Sequence, residues 1–317
     1  MGNAPVIVFV YNRLEHTRRL FESLIKNQGA DMTDVYVFSD AAKITGNEKV
    51  DKVCRQKVAE VRDYISTIDG FKGVYITLRE KNYGLANNII SAVTQVLKQH
   101  DSAIILEDDL MVSPSFLLYM NTGLKTYRDS EKVFSISGYS YISESDQKKG
   151  MPQSYFLPIM CSWGWATWSS KWKIFDKRAE GWEVLRWNWR KRYRFNFHNA
   201  IDYYSMLRSQ MEEDIDSWAI RWYWSVFKEE GLTLYSLNIY VDNGGFDGSG
   251  THTMGEQVGG KRSLLNQIER LEMPAEEAVD KEMRKIAVNN IGGGILARNF
   301  HVFKQEAAHY YHKMKKA

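Results

Sequence analysis

The first 140 residues alternate between short, unbroken apolar runs and longer stretches with apolar residues every three or four positions. The runs "VIVFVY" (Val6 to Tyr11), "VYVF" (Val35 to Phe38), "VYITL" (Val74 to Leu78), "AIIL" (Ala103 to Leu106) and "VFSIS" (Val133 to Ser137) are rich in β-branched residues. A strand with one wet face alternates polar and apolar positions, so continuous runs predict strands covered on both faces. Between them, Leu20, Phe21, Leu24 and Ile25 mark one helical face, and Val50, Val53, Cys54, Val58, Val61, Ile65 and Ile68 mark a second. Ile89, Ile90, Val93, Val96 and Leu97 mark a third, and Ser113 with Pro114 reads as the cap and first position of a fourth. Strand and helix in alternation predict an α/β fold with a mainly parallel sheet sandwiched by helices.

From about residue 150 to 258 the pattern is irregular and aromatic, and beyond it lies a helix-rich tail (Ser263 to Leu271, then Ala275 to Ala287). "NNIGGG" (Asn289 to Gly294) reads as a flexible break in that tail. The expected division is therefore 1–140, 141–258 and a helical C-terminal extension, 259–317.

Composition narrows the function classes only a little. A net charge of +3 gives no case for nucleic acid. The 10 Trp and 18 Tyr offer flat faces that suit sugars and bases, although buried aromatics are ordinarily core. With only Cys54 and Cys161, a disulfide framework is not expected and a reducing, cytoplasmic setting is. No run approaches the roughly 20 apolar residues that span a bilayer, which leaves peripheral contact with a membrane surface open.

In parallel sheets ligands bind beyond the C-terminal strand ends, and polar residues cluster there: Asn12 and Arg13, Ser39 and Asp40, Arg79 and Asn82, then Glu107, Asp108 and Asp109. In "SAIILEDDLMVSPSF" three adjacent carboxylates end a strand that reads as buried. The plain alternative is an exposed acidic loop. A divalent cation makes such a cluster tolerable, and hard oxygen ligands suit Mg²⁺ or Mn²⁺ with positions left for phosphate and water. A Walker-A loop, a G-x-G-x-x-G turn after the first strand and zinc-type Cys/His spacing are all missing from the sequence.

These residues carry a family resemblance. "ILEDDLMVSPSF" resembles the metal-binding signature of the N-acetylglucosaminyltransferase I group of GT-A glycosyltransferases and of related bacterial sugar transferases. "VYNR" (Val10 to Arg13) is similar to their first-strand nucleotide contact, and "FSDA" (Phe38 to Ala41) to the second-strand Asp that meets uracil. "SWGWATW" (Ser162 to Trp168) resembles their Gly-Trp wall between donor and acceptor, and "DSW" (Asp216 to Trp218) their base-supplying Asp-Asp-Trp, with Ser217 replacing the second Asp. The resemblance covers roughly residues 5 to 255 in order. It implies a GT-A, Rossmann-like catalytic domain over 1–258, with a nucleotide-sugar half and an acceptor half.

It also implies an inverting transferase that moves a sugar from a nucleotide-sugar, UDP-linked by preference, to a hydroxyl of a glycan or lipid-linked acceptor. Bacterial surface polysaccharide or glycoconjugate assembly is the expected setting. Asp109 would ligate Mn²⁺ or Mg²⁺, with Asp108 and Glu107 on ribose, sugar hydroxyls or metal-bound water. Asp216 would be the base, with Asp214 and Glu213 as open alternatives. Arg13, Asp40, Arg79, Asn82, Trp165 and His252 are the further donor-site candidates, and Arg221 a second phosphate partner.

Gly-rich "VDNGGFDGSGTHT" (Val241 to Thr253) suits a lid over the diphosphate. "RWNWRKRYRFNFH" (Arg186 to His198) interleaves base and aromatic and reads either as a solvated amphipathic helix or as a contact for anionic headgroups or a lipid-diphosphate-linked acceptor. The tail is a place for self-association. The rival readings are a sugar-phosphate nucleotidyltransferase-like enzyme, for which "VYNRLEHT" lacks the Gly-rich loop, and a non-catalytic carbohydrate-binding relative.

Overall fold

A computed structural model describes residues 2–245, 264, 271–294 and 298. The predicted runs form β1 (Val6–Val10), β2 (Asp34–Ser39), β3 (Gly73–Leu78), β4 (Ser102–Glu107) and, further on, β6 (Val133–Ser137). Strand β1 is buried at every position because β2 and β4 flank it in parallel and helices cover both faces. That is why it carries no polar alternation. Strand β3 is the sheet edge, and Tyr75, Ile76 and Leu78 on it are exposed.

Helices α1 (Leu14–Leu24) and α2 (Glu48–Ile65) pack on each other. Of the residues expected on their inner faces, Leu20, Phe21, Leu24, Val58, Val61 and Ile65 are buried. Ile25, Val50 and Val53 are exposed instead: Ile25 follows the last residue of α1, and Val50 and Val53 lie in the first two turns of α2. The connection from β3 back to β4 reverses direction, and a right-handed crossover then puts α3 (Leu85–Leu97) on the opposite face.

Helix α4 (Phe116–Thr126) starts later than expected: Ser113 and Pro114 precede it, and the Ser113 hydroxyl accepts from the Ser115 N–H, 3.2 Å away. The chain is held in a short β5 (Leu110–Val112) before it can turn into a helix.

The segment without a clear period supplies four-residue and five-residue strands. These are β7 (Ser154–Leu157), β8 (Trp165–Trp168) and β9 (Leu232–Ser236), each buried at all positions. They extend the sheet to eight strands in the order β3-β2-β1-β4-β8-β6-β9-β7. Strand β8 runs antiparallel to both β4 and β6, so the sheet is mixed: parallel on the β1 side and interrupted beyond β4. Helices α5 (Ser169–Trp172) and α9 (Trp218–Lys228) pack with α3 over this second half.

The tail differs from expectation. Residues 275–280 are not helical, and the helix α10 spans Lys281–Gly292, capped by the Asp280 carboxylate. Within "NNIGGG" the break falls only on the last two residues. Asn289 to Gly292 are helical, and the helix ends at Gly293 with a φ of 68°, which a glycine adopts without strain. The expected helix from Ser263 to Leu271 lies outside the described residues for all but Leu264 and Leu271. Among the described residues no helix is long and apolar enough to cross a membrane.

Candidate functional site

Strand order 3-2-1-4 makes the boundary between β1 and β4 a topological switch point, where connections leave in opposite directions and open a crevice. Phe9 of β1 is in register with Glu107 of β4, so Arg13, four residues on, reaches the same rim as the three carboxylates. After Glu107 the chain turns at Asp108 and Asp109 and runs into β5, which pairs antiparallel with β10 (Val241–Asn243).

The charges at this turn are met in part by one guanidinium. Arg13 Nη2 donates to Asp108 Oδ1 and, at 3.1 Å, to Asp109 Oδ2. Burial works against the Arg13 charge, but Asp108 and then Asp109 outweigh it and hold the guanidinium firmly protonated. Asp108 is buried, and its carboxyl is pushed up by that burial despite Arg13; its Oδ2 has no hydrogen-bond partner among the described residues. Glu107, half-buried, is pushed up to about 8 by burial first and then by Asp109 and Asp108. Burial and crowding thus push Glu107 and Asp108 toward their protonated forms, which marks a site short of positive charge.

His16, one turn along α1 from Arg13, is buried and lies close enough to lower the Asp108 carboxyl through its charge. Sequence reasoning passed it over. Its signal is the "RLEH" spacing, which puts position 16 on the same helix face as the strand-end Arg13.

The first residues of the Gly-rich stretch cover Asp109. Gly244 N–H donates to the Asp109 carbonyl at 2.8 Å, and Gly245 N–H to Asn243 Oδ1 at 2.7 Å. A Cβ at Gly245 would stand 2.6 Å from Asp109 Oδ2, so only glycine lets the backbone come this close. The rest of that stretch, His252 included, lies outside the described residues.

Asp40 and Asn82 meet, but as part of the scaffold. Asp40 is buried, and its two oxygens accept from the N–H groups of Ala41 (2.9 Å), Tyr83 (2.8 Å) and Gly84 (2.9 Å) and from Asn82 Nδ2 (3.2 Å). Gly84 is the residue before α3, so a carboxylate from the end of β2 fixes the entry to a helix that follows β3. Arg79 is committed as well: it donates to Asn88 Oδ1 and Ser91 Oγ at 3.0 Å each and stacks over Tyr83 and Phe38. Arg79, expected as a phosphate partner, thus has its Nε and Nη2 engaged within the protein.

Trp165 is fully buried, stacked on Trp218 at 5.1 Å between ring centres and packed beside Trp172 and Trp222. It is a core residue and not a surface that a sugar touches; Trp163, half-buried against Tyr139, is the rim tryptophan. Gly164 between them has a φ of 53° and turns the chain so that the two rings diverge.

The stack on Trp218 brings the start of α9 to this rim, because Trp165 pairs with Ile105, two residues before Glu107. Ser217 caps α9, accepting from Ile220 N–H at 3.4 Å. Asp216, immediately before the cap and 55% exposed at its side chain, accepts from Arg221 Nη2 at 2.8 Å. Arg221 is buried, and burial lowers its pKa against the pull of Asp216. It also donates to the Ser217 carbonyl, so it orients Asp216 and is no phosphate partner. Asp214 and Glu213 are exposed on the preceding turn, where Glu213 has a φ of 63°.

No group of three His, Cys, Asp or Glu side chains converges as a closed metal cage among the described residues. The turn fits a different mode. Arg13 contacts one oxygen of Asp109, the Asp109 side chain is 18% exposed, and the adjoining Asp108 oxygen is orphaned. One accessible carboxylate with acidic neighbours is what a hard cation that keeps its waters and phosphates requires.

Among solved structures, the chain is similar to GalNAc-T7 with UDP, GalNAc and Mn²⁺ (13% identity, TM-score 0.37), covering 55% of this chain and 37% of that one. It is also similar to S. aureus TarS (16%, 0.35), covering 55% and 30%. A third is the mannosyltransferase PcManGT from Pyrobaculum calidifontis in complex with GDP-Man and Mn²⁺ (13%, 0.37), covering 72% and 69%. The chain thus spans about a third of the length of the first two. No curated protein sequence matches it significantly. The GNT-I family model matches residues 1–193, more than half of the 317 residues and all of the Arg13–Asp109 site. The chain belongs to the GNT-I family of glycosyltransferases.

Proposed function

We propose that this glycosyltransferase is inverting and metal-dependent, and that it moves a sugar from a nucleotide-sugar, UDP-linked by preference, to a hydroxyl of a glycan or lipid-linked acceptor. The observation that carries the reading is the carboxylate turn at the β1/β4 switch point, short of positive charge and covered by Gly244 and Gly245. Residues 1–140 would hold the donor and 141–258 the acceptor, with 259–317 as an extension. Two cysteines outside any disulfide support a reducing, cytoplasmic setting, as surface polysaccharide assembly in bacteria requires.

Asp109 would hold Mn²⁺ or Mg²⁺, whose chemistry is neutralisation of the donor diphosphate and of the departing nucleoside diphosphate. Arg13 fixes the rotamers of Asp108 and Asp109, and Glu107 and Asp108 face donor hydroxyls. Gly244 and Gly245 keep water from the Asp109 side. Asp216, oriented by Arg221 through one oxygen, has its other oxygen for the acceptor proton. As that proton leaves, the acceptor oxygen attacks the anomeric carbon opposite the leaving diphosphate, which inverts the centre.

Calorimetry of UDP with and without Mn²⁺ tests the donor side: binding requires the metal and is lost in Asp109→Ala. Asp216→Asn retains that binding and loses sugar transfer. Metal-independent UDP binding, or full transfer by Asp216→Asn, would contradict these assignments.

A further inference from the structure

The segment from 184 to 198 carries five Lys or Arg residues and no Asp or Glu. It folds into two short helices, α6 (Val184–Trp187) and α7 (Trp189–Phe195). Leu185, Phe195 and Phe197 are fully buried and fasten the segment to the body of the protein. Phe195 stacks on Tyr223 of α9 at 4.8 Å. Anchored in this way, the segment has no packing need for its tryptophans. Trp187 is 80% exposed and Trp189 is 65% exposed, with Val184 beside them at 39%. Every other tryptophan of the chain is buried or half-buried, so these two stand apart as apolar side chains held in water.

The charge around them is one-sided. Arg186 lies over the Trp187 ring at 5.2 Å and Arg190 over the Trp189 ring at 5.3 Å. Arg194 is spoken for by Glu230 and Arg192 by the Tyr204 ring, whereas Arg186, Arg190 and Lys191 form no ion pair among the described residues. Two indoles, each beside a guanidinium and with a third cation next to them, match one environment. In the headgroup layer of an anionic bilayer the rings sit at the water–hydrocarbon boundary and the cations meet lipid phosphates.

The geometry points to α6–α7 as a peripheral docking surface for anionic membrane, with Trp187 and Trp189 inserted and Arg186, Arg190 and Lys191 on the phosphates. This stands on surface geometry and does not depend on the donor or base assignments.

Flotation of the full chain with phosphatidylcholine vesicles, and with vesicles in which a third of the lipid is phosphatidylglycerol, tests it. The wild-type chain binds the anionic vesicles, weakens as salt is raised, and shows a blue-shifted tryptophan emission on binding. Trp187→Ser/Trp189→Ser and Arg186→Glu/Arg190→Glu each weaken binding roughly ten-fold or more. Because all four side chains are exposed, unchanged thermal melting of the variants confirms that folding is intact. Equal binding to both vesicle types, equal binding by either double variant, or self-association through this face without vesicle binding would overturn the proposal.

Discussion

Asp40 offers the sharpest test, because sequence resemblance and tertiary structure give it different tasks. Asp40→Ala removes a buried carboxylate that accepts three backbone N–H groups and one side-chain amide. A hydrogen bond to a charged group contributes about 1.5–3 kcal/mol net, and a buried donor left without a partner costs a similar amount. The four donors belong to half-buried residues, so water recovers part of the loss. The expected destabilisation is therefore about 3–5 kcal/mol, less than the sum of four full bonds. The damage is local to the loops after β2 and β3, and it also frees the Gly84 N–H just before α3.

Urea unfolding followed by circular dichroism measures the total. Amide hydrogen exchange at Tyr83 and Gly84 locates it, with protection lost in the variant. Asp40→Asn should recover only part of the stability, because its amide nitrogen cannot accept. A variant within about 1 kcal/mol of wild type, with UDP binding lost, would refute the scaffold role and favour a direct donor contact.

The remaining predictions concern the carboxylate turn. Gly245→Ala forces a Cβ to within 2.6 Å of Asp109 Oδ2, so transfer should fall about ten-fold or more while global stability changes little, as paired kinetics and melts would read. Glu107, raised to about 8 in the folded protein, binds more protons folded than unfolded. In chelator its contribution is therefore present at about pH 4.5 and is lost as pH rises through about 8, and Glu107→Gln should flatten that decline in thermal midpoint. Arg13→Ala leaves two neighbouring carboxylates without their cation and should cost about 3–5 kcal/mol, with added Mn²⁺ recovering part of it in the melt.

Much of the first half was legible because burial on both faces leaves a direct trace. Strands β1, β2 and β4 sit inside the sheet and must be continuously apolar, and β-branched residues are what such strands select. The clustering of Arg13 with Glu107, Asp108 and Asp109 follows from parallel topology, since every strand end arrives at one rim. Strands β7, β8 and β9 left no such trace. Each is short and aromatic, and a run of Trp, Ala, Thr and Trp has no period by which to recognise it.

Sequence by itself determined the residue types, their order and the rim to which they are delivered: a strand-end Arg, three carboxylates and a glycine pair. Tertiary structure alone decided how they are used. Whether Trp165 meets a sugar or the core depends on whether Trp218 stacks on it, a contact between residues 53 positions apart. Whether the Asp40 oxygens are available depends on amides contributed from beyond the next strand, and whether Arg221 can meet a phosphate depends on its burial under Asp216. Partner choice and burial are set by the packing of distant segments, and a polar residue's local sequence is nearly the same whether its hydrogen bonds are spent inside the protein or kept for a ligand.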